Sequence, residues 1–195
     1  TDAAYSSSWT SITMKDDGTG GDVVAGDDVY SCTIPAVVQT HRRLVRYTIT
    51  ATDSLSNSVK VPYADDEQPN FAYFVYNGVP SWTGAFRPTS FAGFPATTAR
   101  TFDSAVVNSL PPYHLIANGT DVEDCQYNWT YQDTRFLGTL VYDGVVYDHI
   151  QFKVRGQAST YNTGKNKWNV FFNRARDLQA RDNRGNKYKE TWNNL

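Results

Sequence analysis

Residues 8–76 contain no stretch in which apolar side chains recur at helical spacing. Apolar and polar residues alternate there in short runs, each broken by Gly, Asp, Asn, Ser or Pro. That pattern excludes a helical bundle and calls for antiparallel strands joined by turns. The strand candidates are "WTSITM" (9–14), "VYSCTIP" (29–35), "LVRYTITATD" (44–53), "SVKVPY" (58–63) and "NFAYFVYNG" (70–78). In the third of these, Val45, Tyr47, Ile49 and Ala51 share one face, with Arg46 and Thr48 on the other. Strands at this spacing predict an antiparallel β-sandwich over residues 1–76. Composition agrees: 13 Tyr and 10 Phe stand beside a single Met, and aromatic side chains suit a pleated, half-buried surface.

The character changes twice more. Residues 77–111 are rich in Pro, Gly, Ser and Thr yet keep their aromatic rings, which predicts an ordered connector lying against a neighbouring unit. A second unit, residues 112–195, opens with the strand candidate "YHLIAN" (113–118), and residues 119–134 read as loop or short helix. "FLGTLVY" and "VVYDHIQFKVRG" form a hairpin whose Asp143-Gly144 supplies the positive φ angles of a tight primed turn. On its second arm Ile150, Phe152 and Val154 face one way, and His149, Gln151, Lys153 and Arg155 the other. "KWNVFFN" (167–173) is a further strand, "DNRGN" (182–186) a turn, and "KYKETWNNL" (187–195) the start of a helix. So thin a sheet leaves an apolar face to cover, and a continuation of the chain or another chain is expected to cover it.

The net charge of −2 hides an asymmetry. Residues 151–195 hold 10 Lys and Arg against 3 Asp and Glu, whereas residues 111–150 hold 1 against 6. A basic end of this kind suits an anionic partner or the protein's own acidic face. No apolar run approaches the roughly 20 residues that span a bilayer, so no membrane span is expected. The chain begins at Thr1, and it reads as a mature or excised piece of a longer product. Cys32 and Cys125 match no metal or redox spacing. Cys32, in phase with Tyr30 and Ile34, reads as a buried free thiol, with a disulfide to Cys125 as the alternative.

Three places could carry chemistry. The loop "DDGTGGDVVAGDD" clusters Asp16, Asp17, Asp22, Asp27 and Asp28 among glycines. Calcium takes six to eight oxygens, which such a loop can supply. Asp and Gly also serve simply as turn formers with local hydrogen bonds, and that is the expected use here. Secondly, Arg155 to Lys167 form strand, small-residue loop, strand. Gly156, Ser159, Thr160, Thr163 and Gly164 offer backbone N–H groups and hydroxyls to a phosphate, and Lys165 or Lys167 a cation behind it. A polar hairpin tip has the same composition. Thirdly, Trp82, Trp129 and Trp168 are stacking platforms if the protein binds carbohydrate, and core rings if it does not. His41, His114 and His149 lack the spacing of a zinc site. No nucleophile elbow, Walker loop or GxGxxG occurs.

The segment "GTLVYDGVVYDHIQFKVRGQASTYNTGKNKWNVFFNRARDLQARDNRGNKYKETW" (138–192) resembles the start of a CotH-type (spore coat protein H) kinase-like domain. The family pairs a hairpin ending in Arg-Gly with a small-residue loop, lysines and an aromatic-rich strand. Here these are Arg155-Gly156, residues 157–164, Lys165 and Lys167, and Trp168 to Phe172. Residues 14–58 resemble the Ig-like module that often precedes this domain in large secreted bacterial proteins. The resemblance implies a mainly β chain: an Ig-like antiparallel sandwich, then a partial, mostly antiparallel sheet like a kinase N-lobe. It implies an extracellular or cell-surface setting, a protein substrate and no nucleic acid. ATP and Mg would bind at Arg155, Gly156, Ser159, Thr160, Lys165 and Lys167 once a C-terminal lobe completes the site. The family's catalytic and metal-binding Asp residues lie beyond this segment, so no phosphoryl transfer is expected of this chain alone. The alternative is a structural or assembly module without catalysis.

Overall fold

Seven largely apolar residues, Phe136–Tyr142, turn through Asp143 and Gly144 into eleven more, Val145–Arg155, whose burial alternates from Asp148 onward. Both turn residues have positive φ, 51° and 76°, as the two-residue primed turn requires. This hairpin is the centre of a four-stranded antiparallel sheet. The computed structural model describes Tyr5 and residues 7–85, 90, 95–156 and 167–195. Within these residues the protein is mainly β, with every strand pair antiparallel.

In chain order the strands are β1 (Arg43–Tyr47), β2 (Ile49–Thr52), β3 (Ser58–Val61), β4 (Phe71–Val75), β5 (Trp82–Gly84) and β6 (Arg100–Phe102). A short helix α1 (Ser104–Val107) follows, then β7 (His114–Ala117), helix α2 (Gly119–Tyr127), β8 and β9 (the hairpin above) and β10 (Lys167–Phe171). The large sheet runs β10-β9-β8-β7, while β1 pairs with β4, β2 with β3 and β5 with β6 as separate two-stranded ladders.

One face of the large sheet is the core. Leu140, Tyr142, Tyr147, Ile150, Phe152, Val154 and Val170 are buried there against Cys125 and Leu178. Gly138 makes room for it: a Cβ would sit 3.1 Å from both the Ile116 carbonyl and the Phe152 ring. The cover comes from within the chain, which corrects the expectation of an outside partner for this face. Helix α2 lays Val122 and Cys125 on it, and residues 178–192 add Leu178, Ala180 and Trp192. Asn118 caps α2 by accepting a hydrogen bond from the Thr120 N–H (2.9 Å).

The last residues are not helical, against expectation. Trp192 exchanges backbone hydrogen bonds with Leu178, Asn193 accepts from Phe172, and Leu195 exchanges with Val170, so the tail runs along the open edge of β10. Burying Trp192 and pairing that edge offsets the helical propensity of so short a segment.

Residues 9–14 and 29–35 also depart from expectation. They form no strand, and one bridge, Lys15 with Ser31, closes the acidic loop between them. Their apolar side chains, among them Ile12, Val29 and Tyr30, stay largely exposed, so nothing favours pairing them into a sheet. The strand predicted over 44–53 breaks at Thr48, and its halves β1 and β2 take different partners. Residues 77–111 build their own hairpin, β5 with β6, with Trp82 stacked on Phe102 at 5.8 Å. Both cysteines are free, and it is Cys125 that is fully buried while Cys32 is half-buried. Burial pushes the Cys125 thiol up to about 11.

Candidate functional site

The pairing of β8 with β9 slips once. Gly138 faces Ile150 and Leu140 faces Tyr147, so Thr139 alone stands opposite both Asp148 and His149. This is a β-bulge, and its second residue, His149, has φ +54°. A left-handed backbone in a non-glycine residue costs roughly 1–2 kcal/mol. The bulge keeps Tyr147 and Ile150 in the core and sends Asp148 to the opposite face, where the β1–β4 ribbon lies.

Asp148 is completely buried. Arg46 of β1 donates to it twice, Nε to Oδ2 at 2.6 Å and Nη2 to Oδ1 at 2.9 Å. Thr139 Oγ1, Asn70 Nδ2 (2.9 Å) and the His149 backbone N–H (2.9 Å) also donate to it. Burial on its own would push this carboxyl up. The hydrogen bonds from Arg46, Thr139 and Asn70, with the Arg46 charge, outweigh burial and hold it well below the usual carboxylate range. The backbone groups freed by the bulge are met as well: Asp148 N–H donates to Gln68 Oε1 and its carbonyl accepts from Asn173 Nδ2.

The network extends to His149 and Tyr5. Asn70 Nδ2 donates to Asp148 and to the Phe71 carbonyl, so Asn70 Oδ1 is the acceptor. It accepts from the Tyr5 hydroxyl and from His149 Nε2, both at 2.7 Å, which puts the proton of the neutral ring on Nε2. Burial lowers the His149 pKa, Asp148 opposes this and Arg46 adds to it. His149 also lines a cleft of about 720 Å³ with Glu67, Arg135, Phe171, Asn173 and Arg174.

Five donors fill the roughly four lone-pair positions of the Asp148 carboxylate. It has no position left for a metal ion or for a substrate proton. Its chemistry is that of a fastener between ribbon and sheet. Sequence reading missed it, although a signal was there: stepping back by two from Ile150 places Asp148 in the core phase. An ionised group in that phase announces either a paired charge or a bulge.

The predicted phosphate site is brought together in part. Lys167 stands directly opposite Arg155 where β9 ends and β10 begins, and both are exposed, as is Gly156. Lys167, Asn169 and Phe171 share the face opposite Trp168 and Val170, as period-2 geometry requires. On the same face Lys153 pairs with Asp133 at 3.5 Å, and the Arg135 guanidinium lies 3.9 Å from the Phe171 ring centre. Ser159, Thr160, Thr163, Gly164 and Lys165 lie outside the described residues.

In the acidic loop, Asp16, Asp22 and Asp27 bring carboxylate oxygens within 4.8 Å of one another. Each of these carboxylates already accepts backbone N–H groups: Asp16 from Gly26, Asp27 and Asp28, Asp22 from Gly18 and Val23, and Asp27 from Val29. Asp17 turns instead to Thr19 and Lys15, and Asp28 adopts φ 63°. Of the three tryptophans, Trp168 stacks on Phe152 within the core, while Trp82 and Trp129 remain partly exposed.

In comparisons with known proteins, no family model, no curated protein and no solved structure matches this chain.

Proposed function

We propose that this chain is an extracellular or cell-surface module carrying the N-terminal part of a CotH-like kinase domain, inactive in phosphoryl transfer on its own. The observation that carries this reading is the placement of Lys167 opposite Arg155, both exposed, at the base of a small-residue loop. In this reading a nucleotide phosphate lies between these two cations, with Gly156, Ser159 and Thr160 as further donors and Lys165 as a third cation. Transfer also needs a carboxylate that holds Mg and a base near the phosphates. In this reading those groups come from a further lobe, which would also bring the protein substrate; the fully buried carboxylate of Asp148 is saturated and supplies neither.

Titrating Mg-ATP against this chain and against a longer one with its natural continuation tests the reading. The short chain is expected to bind weakly or not at all. The long one is expected to bind, and Lys167→Ala and Arg155→Ala to weaken it. A long chain that binds no nucleotide overturns the proposal.

A structural or assembly role is the second reading, and the Asp148 junction favours it. Burying an ion pair contributes little net stability compared with apolar packing, but it fixes one geometry between layers. Unchanged nucleotide affinity in Lys167→Ala, together with loss of assembly in Arg46→Ala, would select this reading over the first.

A further inference from the structure

Beside the Arg46–Asp148 pair, the residue that leads into β4, Asn70, is tied to the large sheet by a histidine whose two ring nitrogens differ sharply. Nε2–H is spent on Asn70 Oδ1, and the ring meets Tyr5 edge-on at 5.1 Å. Nδ1 makes no hydrogen bond to any described group, so a second proton must go there. The side chain is 12% exposed, and the Arg46 guanidinium is bound to the same carboxylate that His149 faces.

We propose that the Asp148–His149 bulge is an acid-sensitive latch: when His149 is protonated its ring leaves Asn70 and Tyr5, and the β1–β4 ribbon loosens from the sheet.

The charges around the ring decide the direction. Asp148, with Oδ2 at 3.8 Å, attracts the imidazolium, but its oxygens already hold five donors, two of them from Arg46. Arg46 from β1 repels it. On the cleft side Arg135 and Arg174 oppose Glu67 and Asp177, so those four charges nearly cancel. Desolvation is then left as the larger effect, and the charged ring is better solvated turned out into the cleft. The strained φ of His149 lowers the cost of leaving, because only the intact network keeps that backbone in place. His114 is the competing source of acid sensitivity. It touches Phe74 and Tyr76 at the ribbon, and burial, with Arg42 and His41 nearby, lowers its pKa too.

Amide hydrogen exchange of the intact chain at about pH 7.5 and about pH 5.5 separates the two histidines. The variants are His149→Asn, which tolerates a left-handed backbone and carries no titratable ring, and His114→Gln. Protection factors in β1 and β4 should drop at the lower pH in the parent and in His114→Gln, while β8 and β9 stay protected. In His149→Asn they should be the same at both values. Protection that is independent of pH in the parent, or a drop that persists in His149→Asn, overturns the latch. Should His149→Asn fail to fold, the NMR titration of the His149 ring in the parent decides. A midpoint at or above the ordinary value of about 6.5 overturns the proposal.

Discussion

Arg46 and Asp148 sit 102 positions apart, and removing Arg46 takes the main counter-charge from a buried carboxylate. The two sides are not equivalent, because the Asp148 side chain is fully buried while that of Arg46 is 25% exposed. Arg46→Ala strands a buried carboxylate and should destabilise the fold by about 3–5 kcal/mol in urea denaturation. Asp148→Ala removes the charge that needs a partner. The double variant should therefore lose clearly less than the sum of the two singles, which a double-mutant cycle measures. Additive losses would show that the pair is not coupled. Gly138 is the other sensitive position: a Cβ there meets a backbone carbonyl and the buried Phe152 ring, so Gly138→Ala should cost about 1–3 kcal/mol by the same measurement.

At the scale of elements, two segments are held by means that differ from their sequence signals. The acidic loop is tied by carboxylates that cap backbone N–H groups, with Gly18, Gly20, Gly21 and Gly26 at positive φ. Gly21 lies against Thr33 and Cys32, where a Cβ would fall 2.8 Å from the Thr33 hydroxyl. Bonds of this local kind need no ion, so adding excess chelator should leave the melting temperature unchanged. A drop of several degrees would instead show that calcium bridges Asp16, Asp22 and Asp27. The terminal segment is held by pairing with β10 and by Trp192. Trp192→Ala should cost about 2 kcal/mol, the scale of a largely apolar side chain taken from water. Faster exchange of the β10 amides should accompany it.

Across the whole molecule, acid acts through the same junction. The Asp148 pKa is depressed in the fold, so its contribution to stability is complete above the ordinary carboxylate value of about 4. That contribution is lost as pH falls from there through the lower folded value, because the unfolded chain takes up the proton first. Urea midpoints followed from neutral pH into acid should fall steeply in this range, and the fall should be much shallower in Asp148→Asn. An equally steep fall in that variant would place the acid lability in other carboxylates. The His149 effect enters at milder pH, since its depressed value makes protonation of the unfolded chain, at about 6.5, the start of its loss.

Local geometry follows from residues close together in the chain. Alternation set the faces of β9 and β10, and Asp143-Gly144 the turn between β8 and β9, because each depends on neighbours a few residues away. It also placed Lys167 on the face opposite Trp168 and Val170. The choices among distant partners were settled by packing in the complete fold. These include the break of residues 43–52 between two ladders, the tail laid along β10 rather than coiled, and the core face covered by the chain's own residues 178–192. The bulge at Asp148 is the plainest case. Its carboxylate is stable inside only because Arg46, Asn70 and Thr139 converge on it from three other segments. Burial energies of that kind depend on the fold being complete, and strand periodicity, a property of adjacent residues, carries no record of them.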